Sequence, residues 1–209
     1  PVPVDERLDQ RIRKRIPFTL TKGQERAISE IRADLARAVP MNRLLQGDVG
    51  CGKTAVAVYA ALAAIARGHQ VALLAPTEVL ARQHAGKIAQ YLKGSRVRTA
   101  FLSGASATAE RAETMSALQK GEISLLIGTH AVLEKGVQFA DLGLAIIDEQ
   151  QKFGVSQRFA MRAKAKSPHV LVLSATPIPR TLAMTLLGDL DISTIDGLPP
   201  GRKPVRTRM

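Results

Sequence analysis

The sequence predicts an α/β domain with a mostly parallel central sheet and helices on both faces. Short apolar segments alternate with longer segments of helical periodicity along most of the chain, which is typical of this class. Several apolar segments lack an alternation of polar and apolar residues, as expected for strands that are buried on both faces. Aromatic residues make up 3% of the chain and Trp is absent, so Leu, Ile, Val and Ala must fill the core.

The predicted elements begin after a basic lead-in, residues 1–16. An amphipathic stretch spans Lys22–Ala38 and precedes six predicted strands with intervening helices. We expect the domain to span residues 17–196, and the basic, Pro- and Gly-rich residues 197–209 to form a linker. The predicted strands are Arg43–Gln46, Val71–Ala75, Val97–Leu102, Ile123–Ile127, Leu144–Asp148 and Val170–Ser174, and the predicted helices between them include Thr54–Arg67, Glu78–Leu92 and Ala107–Gln119.

Composition limits the class of protein and its partners. Lys and Arg total 30 against 18 Asp and Glu, a net charge of +12, and such a surplus attracts polyanions. The single cysteine, Cys51, excludes an internal disulfide, and a reducing, cytoplasmic location is expected. The longest apolar run, Ala55–Ala66, is too short to cross a bilayer, and the first residues lack the pattern of a secretion signal. No membrane association is predicted.

A phosphate-binding loop follows the first predicted strand. Two glycines separated by four residues, then Lys and Thr, match the spacing of a loop whose backbone N–H groups surround a β-phosphate. The helix that starts there directs its positive end at the same charge. Lys53 would reach the β- and γ-phosphates, and the Thr54 hydroxyl would bind Mg²⁺, so ATP and Mg²⁺ are the expected cofactors. The loop comprises Gly47, Asp48, Val49, Gly50, Cys51, Gly52, Lys53 and Thr54.

An acidic pair ends a later strand. Asp148 follows an apolar run, so its carboxylate should emerge at the carboxyl edge of the sheet, where α/β proteins bind ligands. Asp148 would hold the metal through water, and Glu149 would orient or deprotonate the attacking water. With the phosphate loop, the pair predicts nucleotide hydrolysis.

These residues and several further segments resemble superfamily 2 helicases along nearly the whole chain, which implies a RecA-like P-loop NTPase domain. The resemblance implies that Phe18 and Gln24 contact the adenine. It also implies polynucleotide-contacting segments at three places and one segment that couples hydrolysis to domain movement. The implied polynucleotide contacts are Pro76, Thr77, Glu78, Ser103, Gly104, Thr129 and His130, and the implied coupling residues are Ser174, Ala175, Thr176 and Arg180.

Within the superfamily, the segment that starts at Asp148 is similar to the signature of RecG and of the transcription-repair coupling factor Mfd. This similarity adds Gln151 to the catalytic group; RecG proteins usually carry His there, so Mfd stays the alternative. The segment from Gly188 to Gly201 favours RecG.

The resemblance implies an ATP-dependent DNA helicase that remodels branched DNA, such as stalled forks and Holliday junctions, in recombination and repair. It also implies two partners within a longer protein, a second RecA-like domain and an N-terminal wedge domain, and a monomeric state. A chain without the second domain would lack the arginine that acts across the domain interface, at a cost on the order of 10³–10⁵ in rate. We therefore expect slow hydrolysis and no unwinding from these 209 residues.

Other interpretations stay open at this stage. Thr77 and Glu78 are also residues that cap a helix, and Cys51 is either a redox switch or a tolerated small side chain. The histidines at 69, 84 and 169 lack metal-ligand spacing, so packing or surface roles are expected. A GTPase is disfavoured because its base-reading motif is missing, and a nucleic-acid-binding module with a vestigial nucleotide site is the remaining alternative.

Overall fold

The computed structural model describes residues 1–148, 167–176 and 190–196. It contains five α-helices, seven strands and one 3₁₀ helix in these ranges. The helices are α1 Glu6–Arg13, α2 Lys22–Leu35, α3 Lys53–Ala66, α4 Glu78–Tyr91 and α5 Thr108–Gln119, and the 3₁₀ helix is His130–Leu133. The strands are β1 Asn42–Gly47, β2 Gln70–Leu74, β3 Thr99–Leu102, β4 Leu125–Gly128, β5 Leu142–Asp148, β6 His169–Ser174 and β7 Asp191–Ile195.

The strands form one sheet in the order β3-β4-β2-β5-β6-β1-β7. Every described strand pair is parallel, which confirms the predicted fold class. The six predicted strands are present with ends that differ by one or two residues, and β7 was not predicted. None of the helices in the described ranges has the length and apolarity needed to cross a membrane.

Successive residues of the inner strands point into two separate cores. On β2, Val71 and Leu73 join the cluster formed with α1 to α4, whereas Ala72 and Leu74 join the one formed with α5 and the 3₁₀ helix. Because both faces are covered, the strands carry apolar residues at nearly every position. The predicted helices on both faces are thus confirmed.

The lead-in, residues 1–16, adds a helix that packs onto the domain. Helix α1 buries Leu8 and Ile12 in the first core cluster. Its residue Asp9 is 5% exposed, and the carboxylate accepts a hydrogen bond from the hydroxyl of the fully buried Tyr59 on α3. That bond and the packing attach α1 to the domain.

A buried ion-pair network attaches β7. Arg43 on β1 is 8% exposed, and its Nε donates to Asp34 Oδ2 of α2 at 2.7 Å. The Nη1 group donates to Ser193 Oγ of β7 at 2.9 Å and to Glu30 Oε2 of α2 at 3.3 Å. This Arg43 network gives an otherwise polar edge strand a fixed position.

Candidate nucleotide-binding site

The carboxyl ends of the strands divide the sheet edge into two halves. One half is formed by the neighbouring strands β1, β6 and β5 and is called the phosphate-loop half. Its register aligns Asp148 with Leu173, and Leu173 with Leu45. The phosphate loop starts two residues after Leu45, so Asp148 lies about 10 Å from it, two strand spacings away. The predicted position of Asp148 at the carboxyl edge is confirmed.

The other half, called the outer half, is formed by β2, β4 and β3. Leu74 pairs with Gly128, and Gly128 pairs with Leu102. The segments that follow these three aligned residues are those expected to contact a polynucleotide. The fold therefore brings them side by side and separates them from the phosphate loop by β5 and β6.

The phosphate loop depends on glycine at two positions. Gly50 has φ 85° and Gly52 has φ 91°, in the left-handed region that residues with a Cβ rarely adopt. A Cβ on residue 52 would also overlap the side-chain amide of Gln24. Gly52 thus lets the loop turn into α3 while the buried Gln24 side chain lies against it.

The start of α3 is free of competing groups. Helices α1, α2 and α4 have capping side chains from Asp5, Thr21 and Thr77, and each carries an acidic residue in its first turn. Helix α3 has neither a capping side chain nor an acidic residue in its first turn. Its N-terminal N–H groups and dipole are therefore available to an anion, as a phosphate site requires.

Lys53 folds back over the loop at the first position of α3. Its Nζ donates to the carbonyl oxygens of Gly47 at 2.5 Å and Asp48 at 3.0 Å. Both acceptors belong to the loop, so the ammonium group can exchange them for phosphate oxygens without a large movement. Thr54 follows Lys53 in the first turn and is partly exposed.

Gln24 ties the expected adenine segment to the phosphate loop. Its Nε2 donates to the Cys51 carbonyl at 2.8 Å, and its Oε1 accepts from the Thr21 backbone at 2.8 Å, completing a capping box at the start of α2. The side chain is buried, whereas Phe18 is 45% exposed. The adenine contacts expected of both residues stay predictions.

Asp148 makes a contact that the sequence did not predict. Its Oδ2 lies 2.6 Å from Nε2 of His84 on α4, and both side chains are nearly buried. His84 was expected to have a packing or surface role. The available signal is its place between Ala81 and Ile88, the other buried residues of α4, since a polar residue at a core position needs a partner. Glu149, Gln151 and Arg180 lie outside the described residues.

The expected coupling segment follows β6 and lies against the phosphate-loop strand. Ser174 Oγ donates to the Thr176 carbonyl at 3.0 Å, and Gln46 Nε2 of β1 donates to the same carbonyl at 3.3 Å. Ala175 lines a cavity of about 210 Å³ with Gly47 and the end of β7. The segment thus touches the strand that leads into the phosphate loop.

The outer half is held together by bonds between its segments. Thr77 Oγ1 accepts from the Leu80 backbone at 3.3 Å and caps α4, so the helix-capping interpretation is confirmed for Thr77. Hydrogen bonds from Arg82, and then from Ser103 after β3, lower the pKa of Glu78, which keeps this carboxylate charged.

The remaining outer-half residues differ in exposure. His130 and Gly104 are exposed, and Pro76 is partly exposed. Thr129 is 5% exposed, and its Oγ1 has no hydrogen-bond partner among the described residues.

In the phosphate loop, Cys51 is a free thiol that is 1% exposed. This burial favours a tolerated small side chain over a redox switch.

A protein-family model described as DEAD/DEAH box helicase matches residues 21–185. The ATP-dependent DNA helicase RecG of Aquifex aeolicus is 51% identical over 210 residues, which is 100% of this chain and 26% of that protein. RecG of Acidithiobacillus ferridurans is 54% identical over 198 residues, 95% of this chain and 29% of that protein. The chain thus spans less than a third of these relatives.

Similarity to a RecG helicase is also found among solved structures. A RecG bound to a three-way DNA junction has a TM-score of 0.83 and 43% identity, and the match covers 98% of this chain and 28% of that one. The DUF1998 helicase MrfA bound to DNA has a TM-score of 0.68 at 20% identity, over 93% of this chain and 30% of that one. The second likeness concerns the fold alone.

Proposed function

The chain belongs to the DEAD/DEAH box helicase family, and we propose that it is the ATP-binding motor domain of an ATP-dependent DNA helicase of the RecG type. The observation that carries this proposal is the division of one sheet edge into a phosphate-loop half and an outer half. Relatives named RecG at 51% and 54% identity support RecG over the coupling factor Mfd. Remodelling of branched DNA in recombination and repair is the activity we assign to the longer protein.

The phosphate-loop half has the groups that ATP needs. When ATP and Mg²⁺ are bound, transfer of the γ-phosphoryl group to water would supply the free energy for movement. The uncapped start of α3 and the Lys53 ammonium would bind the phosphates, because both present positive charge at the same loop. Phe18, exposed near the capping box, would pack against the base. Gln24 would hydrogen-bond the base through its second Nε2 hydrogen and the second lone pair of Oε1.

Three side chains would bind the metal and orient the attacking water. The Thr54 hydroxyl and the Asp148 carboxylate are oxygen ligands of the kind Mg²⁺ prefers, and Asp148 would act through a water molecule. Glu149 would orient the attacking water or accept its proton. Gln151 would complete the catalytic group.

The outer half would bind the DNA backbone through the turns that end β2, β3 and β4. Exposed groups such as Thr77, Gly104 and His130 would face the phosphates, and the net charge of +12 would favour their approach. The relative bound to a three-way junction supports branched DNA as the substrate of the longer protein.

Movement would require parts beyond these residues. We propose a second RecA-like domain that closes on the nucleotide and an N-terminal wedge domain that separates DNA branches. The contact of Gln46 with the Thr176 carbonyl gives Ser174–Thr176 a direct connection to the strand of the phosphate loop, which supports its coupling role. Arg180 would take part in the same step.

DNA binding at the outer half is tested by the affinity for a labelled oligodeoxynucleotide, measured by fluorescence anisotropy. His130→Ala should weaken binding severalfold, because it removes an exposed group from the proposed track. His69→Ala is the matched control, since His69 pairs with Asp141 at the opposite end of β2 and β5. Lys53→Ala should bind DNA as the unchanged chain does. Equal affinities for all variants would mean that diffuse surface charge holds the DNA, and the proposed track would be wrong.

A further inference from the structure

His84 lies on the buried side of α4. Helix α4 begins at the expected polynucleotide contact, and its buried residues are Ala81, His84 and Ile88. The imidazole therefore faces the sheet, two turns into the helix, with 9% of the residue exposed. From that position it reaches across from α4, which follows β2, to the end of the neighbouring strand β5.

The contact with Asp148 assigns the imidazole tautomer. Nε2 lies 2.6 Å from Asp148 Oδ2, and a carboxylate oxygen accepts, so Nε2 carries the proton and donates. Nδ1 is buried and has no hydrogen-bond partner within the described residues. Among the described residues, the one hydrogen bond of this side chain is thus directed at the carboxylate that is expected to serve the metal.

We propose that His84 is a positioning residue for Asp148. Its N–H holds one carboxylate oxygen, which fixes the rotation of the carboxyl group and leaves the other oxygen to serve the water on Mg²⁺. Groups that orient metal-binding side chains typically contribute on the order of 10- to 100-fold in metal affinity. This inference rests on the proposed function, because it requires that Asp148 act on the Mg²⁺ of a bound nucleotide.

The side chain offers a sharp pair of variants. His84→Leu places an apolar side chain of similar size at the core position and removes the donor. His84→Gln restores a donor, because the glutamine Nε2 lies at nearly the same distance along the side chain as the histidine Nε2. His69→Leu is the matched control, since it breaks a second His–Asp pair, at 2.7 Å, away from the site.

The test measures the affinity for a fluorescent ATP analogue in Mg²⁺ and again in EDTA, with thermal unfolding to verify the fold. The unchanged chain should bind more tightly in Mg²⁺. His84→Leu should lose about 10-fold or more of that Mg²⁺-dependent gain while its affinity in EDTA is unchanged. His84→Gln should recover most of the gain, and His69→Leu should keep all of it.

Three results would overturn the inference. If His84→Leu keeps the full gain from Mg²⁺, Asp148 does not need the imidazole, and the nucleotide site stands without it. If the affinity of His84→Leu falls equally in EDTA, or if His84→Gln fails to recover a gain that His84→Leu loses, the residue acts on folding or packing only. If the unchanged chain binds the analogue in neither condition, the proposed function itself fails.

Discussion

Stability between pH 7 and pH 4 should depend on one buried histidine. His169 begins β6, is 6% exposed, and its Nδ1 accepts a hydrogen bond from the Met41 backbone at 2.9 Å. Burial lowers the pKa of His169 to about 4 from its usual 6.5. Protonation would turn the acceptor into a donor that faces another N–H group, so the folded protein resists it.

The magnitude follows from that pKa. Because the folded pKa is lowered, the unfolded chain takes up the proton first, so this stability is complete above pH 6.5 and is lost as the pH falls toward 4. The loss is about 3 kcal/mol, at 1.36 kcal/mol for each pKa unit. His169→Asn is the matched variant, because the asparagine Oδ1 can accept from Met41 at the position of Nδ1 and does not titrate in this range.

Urea unfolding at a series of pH values measures the difference. Between pH 7 and pH 4, the unchanged chain should lose about 3 kcal/mol more unfolding free energy than His169→Asn. Carboxylates that titrate in both proteins cancel in this comparison. Parallel curves for the two proteins would refute the reasoning, since they would mean that His169 has the same pKa folded and unfolded.

Three further substitutions have expected effects. Arg43→Ala should cost up to about 3–5 kcal/mol in urea unfolding, because it removes the close partner of the buried Asp34 carboxylate and leaves the more distant Arg37, at 3.6 Å. Arg98→Ala at an exposed pair should cost about 1 kcal/mol or less; equal costs would contradict this. Tyr59→Phe should cost about 1–3 kcal/mol by removing a donor to a buried carboxylate, and an unchanged midpoint would contradict that role. Gly52→Ala should abolish binding of an ATP analogue. The control Gly68→Ala, at φ 86° in open space, should bind the analogue normally, although backbone strain lowers its stability by about 1–2 kcal/mol. Normal binding by both variants would contradict the supporting role of Gln24.

The predictable part of the fold came from periodicity and from turn residues. Five apolar runs became the inner strands because both faces of the sheet are covered, and a sixth became the edge strand β3. The loop at Gly47–Thr54 indicated which edge of the sheet to expect a ligand at. Strand β7 was missed because its alternating polar residues, such as Ser193, are satisfied by the distant Arg43. Helix α1 was missed because its many basic residues suggested a linker, although Leu8 and Ile12 are spaced to lie on one face of a helix.

The candidate site was predictable in its parts and not in its arrangement. The residue types at Lys53 and Asp148 carry their chemistry in local sequence, so the prediction of their roles needed no structure. The order of the strands decides which segments share a half of the edge, and no local pattern encodes that order. The contact of His84 with Asp148 joins residues 64 positions apart, and only the pairing of β2 with β5 brings them together.

The most direct test of the account is the affinity of this chain for a fluorescent ATP analogue in the presence of Mg²⁺, measured beside Lys53→Ala. The proposed site predicts saturable binding that weakens on the order of 10- to 100-fold in the variant, because a charge-assisted hydrogen bond to phosphate is lost. Equal affinity in both proteins would contradict the phosphate loop as the binding site. Absence of binding in both would contradict the claim that these residues form a working nucleotide site.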